Sequence, residues 1–144
     1  MREPRTAEVG RLFIIHHPTP PALDEAKLEL DRYARFASRV GRAPILMLPD
    51  KILPPMAGEV RDLYRQVATG DPGVEAMATV IGGLVGLGAS IMSSIMTQIF
   101  QGRADIPMRT VRDVDDAAKW LAEVADLQVQ ADAILSAVAE LRAD

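Results

Sequence analysis

Cysteine is absent from all 144 residues, which removes disulfides, thiolate zinc sites and thiol nucleophiles from consideration. Aromatic residues make up only 4% of the chain, so any interior it builds is aliphatic. Lys and Arg are scattered and the net charge is −4, so no basic face invites a phosphate backbone and nucleic acid is not an expected partner. The stretch from Met1 to Glu8 lacks the apolar run of a signal peptide, which makes the cytoplasm the expected location. A hydrophobic content of 49% is incompatible with disorder, and the length suits one domain with its own core. The sharpest absence is local. Between Glu75 and Arg103 there is no charged residue, in a chain that is 25% charged.

That neutral stretch divides in two. Val74 to Ile81 ends in β-branched residues, follows Gly70, Asp71, Pro72 and Gly73, and reads as a buried strand. Gly82 and Gly83 punctuate it, after which Leu84, Val85, Ile91, Met92, Ile95, Met96 and Ile99 fall at helical spacing. Thr79 to Phe100 is long enough to cross a bilayer, where about 20 residues suffice, and Gly82 with Gly86 forms a GxxxG pair. Ten of those 22 residues are Gly, Ser, Thr or Gln, and the apolar ones favour one side. The expectation is therefore a strand and a buried helix, not a span.

The remaining chain alternates. Arg11 to His16 reads as a strand, and Met1 to Glu8 as a loose polar start. Thr19 is placed as an N-cap, with Pro20 at the first helical position. Leu23, Ala26, Leu30, Tyr33, Ala37 and Val40 form an apolar stripe that Gly41 ends. Ala43 to Leu48 is a second buried strand, Met56 to Ala68 a second helix, and Pro107 to Val111 a short edge strand. Asp113 is an N-cap, and Ala117, Trp120, Val124, Leu127, Ala131, Ile134, Val138 and Leu141 recur at 3–4 spacing. The expected fold is α/β, a four-stranded mostly parallel sheet covered by helices in the order βαβαβαβα, closed by one long C-terminal helix. Residues 9–125 would form the domain and residues 126–144 a helical extension with a heptad seam. The seam would bind a partner protein or a second copy, a homodimer, through Trp120, Val124, Leu127, Ala131, Ile134, Val138 and Leu141. The alternative is a bend that folds the last segment back on its own domain.

The strand, helix and strand, then Val74–Ile81, the apolar helix, and the ending from Pro107 through Asp113 to Ala118, Lys119, Trp120 and Leu121 resemble the SpoIIAA-like (STAS) family. That family is related in shape to the lipid-binding CRAL-TRIO domains. The resemblance covers about Val9 to Val124 and implies a non-enzymatic regulatory or signalling module that acts through protein binding. It also implies a β-hairpin before the first helix, where only one strand is legible here. The sporulation regulators of the family carry a phosphorylatable Ser opening the second helix, and no Ser or Thr lies between Ser38 and Thr69. A phosphoserine switch is thus not expected.

No residue set announces a reaction. His16 and His17 point to opposite faces of a strand, which disfavours a shared metal, so a structural or solvent-facing pair is expected and no cofactor. Gly82, Gly83, Gly86 and Gly88 have the wrong order for a dinucleotide fingerprint and lack the P-loop Lys. Asp50 and Lys51 sit at the carboxyl end of a strand, where open α/β sheets place ligands, and with His17 could rim a small hydrolase-like site. Met77, Met92 and Met96 could instead line a site for a hydrophobic, lipid-like ligand between the 84–100 helix and the sheet.

Overall fold

The computed structural model describes residues 3–19, 21–50, 58–70, 73–81 and 106–143, and for Ala68 and Thr69 the backbone alone. The 84–100 helix, the glycine cluster at 82–88, Lys51, Met92, Met96 and Pro20 lie outside the described residues. The architecture is α/β, with a five-stranded sheet in the order β1-β2-β3-β4-β5. The strands are β1 (Arg5–Val9), β2 (Leu12–His17), β3 (Ala43–Pro49), β4 (Val74–Val80) and β5 (Met108–Val111). All neighbours are parallel except β1, which runs antiparallel to β2.

The fifth strand corrects the expectation of four. Arg5–Val9 is not loose but pairs with β2 from Arg5↔His16 to Val9↔Leu12. Its polar, half-exposed pattern is that of an edge strand, which carries little hydrophobic signal of its own. Gly10 makes the turn possible, with φ at 58°. A β-hairpin therefore precedes the first helix.

Parallel strands with right-handed crossovers put successive helices on one face. There α1 (Leu23–Val40) and α2 (Gly58–Thr69) lie side by side. Phe13, Ile15, Ala26, Leu30, Tyr33, Phe36, Ile45, Met47, Val60 and Met77 form the core between them and the sheet. The predicted Thr19 cap is wrong: α1 begins at Leu23 after Ala22, without a side-chain cap, and leans on Asp24 and Glu25 in its first turn. Its end is as expected, with Gly41 at φ 87° and its N–H bonded to the Ala37 carbonyl at 2.8 Å. Pro44 is tolerated in central β3 because the pairing with β4 shifts register between Ala43 and Pro44.

The opposite face is covered by α3 (Val114–Val124) and α4 (Ala131–Arg142). Leu12, Ile14, Leu46, Leu48, Ala76, Ala78, Val80, Ala117, Leu121, Leu127, Ile134 and Val138 make this second core. Both faces of β2, β3 and β4 are thus buried, which is why these strands read as apolar runs without alternation. Asp113 caps α3, its Oδ1 accepting the Asp116 N–H at 2.8 Å.

The single long C-terminal helix is the main correction. The chain leaves helical geometry at Ala125, passes Gln128 at φ 54° and restarts at Ala131. The hairpin turn captures this corner. The Arg11 N–H donates to the Leu127 carbonyl at 2.7 Å, and the Arg11 guanidinium reaches the Asp126 carbonyl at 2.6 Å and the Arg42 carbonyl at 2.9 Å. These bonds hold the linker where helical hydrogen bonds would otherwise run. α4 then turns back along β1 and β2. Leu127, Ile134 and Val138 are buried in the chain's own core, and Leu141, Trp120 and Val129 pack against it. Ala131 is exposed and Val124 is 37% exposed, so no continuous seam is offered to a partner. Residues 126–143 belong to the same packed unit as the sheet and are not an extension of it.

Among the described residues, no helix is long and apolar enough to cross a membrane.

Candidate functional site

In an open α/β sheet, ligand crevices lie beyond the carboxyl ends of the strands. At that end of β2 the chain places two adjacent histidines, and both are buried, contrary to the solvent-facing alternative. Strand alternation sends them to opposite faces.

His17 faces α1 and α2. Its Nε2 lies 2.6 Å from Glu29 Oε1, and the Tyr64 hydroxyl donates to Glu29 Oε2. The third side of the triangle is longer, with Tyr64 Oη 3.4 Å from His17 Nε2. Glu29 is only 2% exposed, so its carboxylate is retained in the core by these two donors. Burial, then the Glu29 charge and hydrogen bond, push the Tyr64 hydroxyl well above its ordinary value. That phenol holds its proton at neutral pH and serves as a donor, not as a nucleophile. The trio ties α1, α2 and β2 together at a single buried point.

His16 faces the α3–α4 side. Its Nε2 lies 2.8 Å from Asp50 Oδ2, and the Asp50 side chain is 37% exposed. The Asp50 N–H continues the sheet pairing by donating to the His17 carbonyl at 3.0 Å. The proposed grouping of His17 with Asp50 is therefore split by the sheet: Asp50 belongs to His16, and His17 belongs to Glu29. Lys51 lies outside the described residues. A narrow cleft of about 10 Å³ lies at this end of the hairpin, lined by Arg5, His16, His17, Pro18, Glu25 and Glu29 among others.

Glu29 and Tyr64 were the functional-looking residues that motif reasoning missed. The signal was present for Glu29: it sits three residues after Ala26 and four before Tyr33, on the inward stripe of α1, where a carboxylate needs a partner. Met77 is 5% exposed and packs within the α1–α2 core, while its proposed companions Met92 and Met96 lie outside the described residues. Among the described residues, no group of three or more His, Asp or Glu side chains is placed to hold a metal ion.

Comparison with protein-family models, with curated proteins and with solved structures finds no match.

Proposed function

We propose that this chain is a non-enzymatic regulatory module of the SpoIIAA-like (STAS) type that works by binding a partner protein. The observation that carries the reading is the hairpin formed by Arg5–Val9 and Leu12–His17 ahead of α1. It supplies the element that the resemblance implies and the sequence alone hides. The sequential strand order and the Asp113-capped helix carrying Trp120 and Leu121 support it further. The polar groups at the carboxyl end of β2 are engaged with one another in a pair and a trio, an arrangement suited to holding a surface in shape. The binding surface is the rim around half-exposed Asp50, where β3 ends beside the His17–Pro18 turn.

The test is affinity purification with the tagged full chain, followed by titration of each recovered protein against purified wild type and Asp50→Arg. The reading predicts a partner whose affinity falls at least tenfold with Asp50→Arg while the melting temperature holds. A recovered partner indifferent to Asp50→Arg would overturn the choice of surface. Turnover of a model ester or phosphoester that Glu29→Gln abolishes would overturn the non-enzymatic reading.

A further inference from the structure

β1 is an outermost strand of the sheet, and only one of its two edges is paired. Val9 and Leu12 close a two-residue turn at Gly10 and Arg11, and of those two only Gly10 has positive φ. Such a turn makes Val9 and Leu12 a hydrogen-bonded pair, and hydrogen-bonded pairs alternate along an antiparallel ladder. Ala7 with Ile14 and Arg5 with His16 are therefore the other two. The backbone N–H and C=O groups of Thr6 and Glu8 then point outward, away from β2. Among the described residues, neither position has a backbone bond beyond the hairpin. Pro4, next in the outward row, has no N–H, and its carbonyl already accepts from the Arg32 guanidinium at 2.9 Å. Two donors and two acceptors are left on an open edge, a template on which another strand can build.

The side chains along that edge decide which strand. Thr6 and Glu8 stand on the α1 side of the sheet, since their partners Ile15 and Phe13 do. Thr6 Oγ1 accepts from Arg32 at 3.2 Å, and Glu8 is paired with Arg39. Ala7 and Val9 stand on the other side and pack against the second core. Two copies of β1 can be set against each other symmetrically in several antiparallel registers, which differ in what they oppose. A twofold at Glu8 brings like charges together. One at Thr6 sets Glu8 against Pro4, which has no N–H to give. One at Ala7 sets Thr6 of each copy against Glu8 of the other, and all the outward groups of both residues are used. Each Glu8 carboxylate then lies between its own Arg39 and the second copy's Arg32, and Ala7 meets Ala7 where the strands come closest. Exposed charges of this kind add little attraction; they exclude strands that do not match.

We propose that β1 binds β1 of a second copy, antiparallel about Ala7, so that two five-stranded sheets join into one. β2 separates this edge from β3 and the rim around Asp50, so the pairing stands independently of the partner-binding reading above.

Sedimentation equilibrium of the full chain from a few to several hundred micromolar, with amide exchange followed by NMR, tests this. The chain should dimerise reversibly, and the Thr6 and Glu8 amides should exchange at least tenfold more slowly as the dimer fills. Thr6→Pro removes an outward N–H and leaves the hairpin ladder its bonds, while Glu8→Arg sets like charges together. The twofold counts each change twice, so each should raise the dissociation constant at least tenfold. Mixing Glu8→Arg with Arg32→Glu should restore dimerisation, because one cross-strand contact is then reversed in sign and the other is native. A chain that stays monomeric at every concentration would overturn the pairing. So would Thr6 and Glu8 amides that exchange alike in monomer and dimer, or a dimer indifferent to both Thr6→Pro and Glu8→Arg. A mixture that binds no better than either variant alone would overturn the register at Ala7. Should Thr6→Pro fail to fold, the wild-type amides and the mixed pair decide.

Discussion

A Cβ placed on Gly10 would stand 2.5 Å from the Leu127 carbonyl oxygen, closer than any real side chain comes. The hairpin turn and the α3–α4 corner are therefore in backbone contact, and Gly10 also carries φ 58°. Gly10→Ala combines a left-handed backbone penalty with a collision against main chain that has no rotamer to change. A loss of about 3 kcal/mol is expected. Urea unfolding of the purified variant measures it, and an unchanged midpoint would mean that the corner does not sit on the turn.

Tyr33 shows how burial couples stability to alkaline pH. Its hydroxyl donates to the Gly73 carbonyl at 2.7 Å and accepts the Ala43 N–H at 3.2 Å. Burial pushes its ionisation from 10.0 up to about 12 in the folded chain. The folded protein therefore binds the proton more tightly than the unfolded chain does. The stabilisation is present below pH 10 and is lost as pH rises toward 12, a loss on the order of 2–3 kcal/mol. Tyr64, raised in the same direction by burial and by Glu29, adds to the slope. Denaturant midpoints from pH 9 to pH 11.5 should fall in wild type and fall less steeply in Tyr33→Phe.

The Glu29 trio predicts a loss that is not additive. Tyr64→Phe removes one of two donors to a carboxylate that is 2% exposed, at about 1–3 kcal/mol. Glu29→Gln neutralises the same group and strips the reason for the donor. The double variant should be less destabilised than the sum of the singles, with a coupling of about 1 kcal/mol or more in a double-mutant cycle. Strict additivity would separate Tyr64 from Glu29.

What the sequence made legible follows from where the physical signal lies. The apolar runs of β2, β3 and β4 and the stripe of α1 are local and strong, and each element stands within a few residues of its expected place. β1 escaped because an edge strand shows only half a pattern, and its pairing is decided by Gly10 and β2. The α3–α4 corner was legible only as the alternative of a bend and not as the leading expectation, for a different reason. No Gly or Pro interrupts residues 125–130, and the 3–4 spacing of apolar residues continues through them. The local hint was Asp126, whose Oδ1 accepts the Gln128 N–H at 3.2 Å in a turn. The deciding contacts come from Arg11, more than a hundred residues away. The two histidines were visible but their partners were not, since Glu29 and Asp50 are brought to them only by the folded sheet.

α4 is a cover for this chain's own sheet and not an arm for another molecule. Removing residues 131–144 and following thermal unfolding together with light scattering measures that directly. Ile134 and Val138 leave the core with the helix, so the truncated chain should lose its cooperative transition, or at least about 4 kcal/mol of stability, and expose the apolar strip beneath. A truncated chain that melts like the full one, and differs from it only in a lower oligomeric state, would contradict the account.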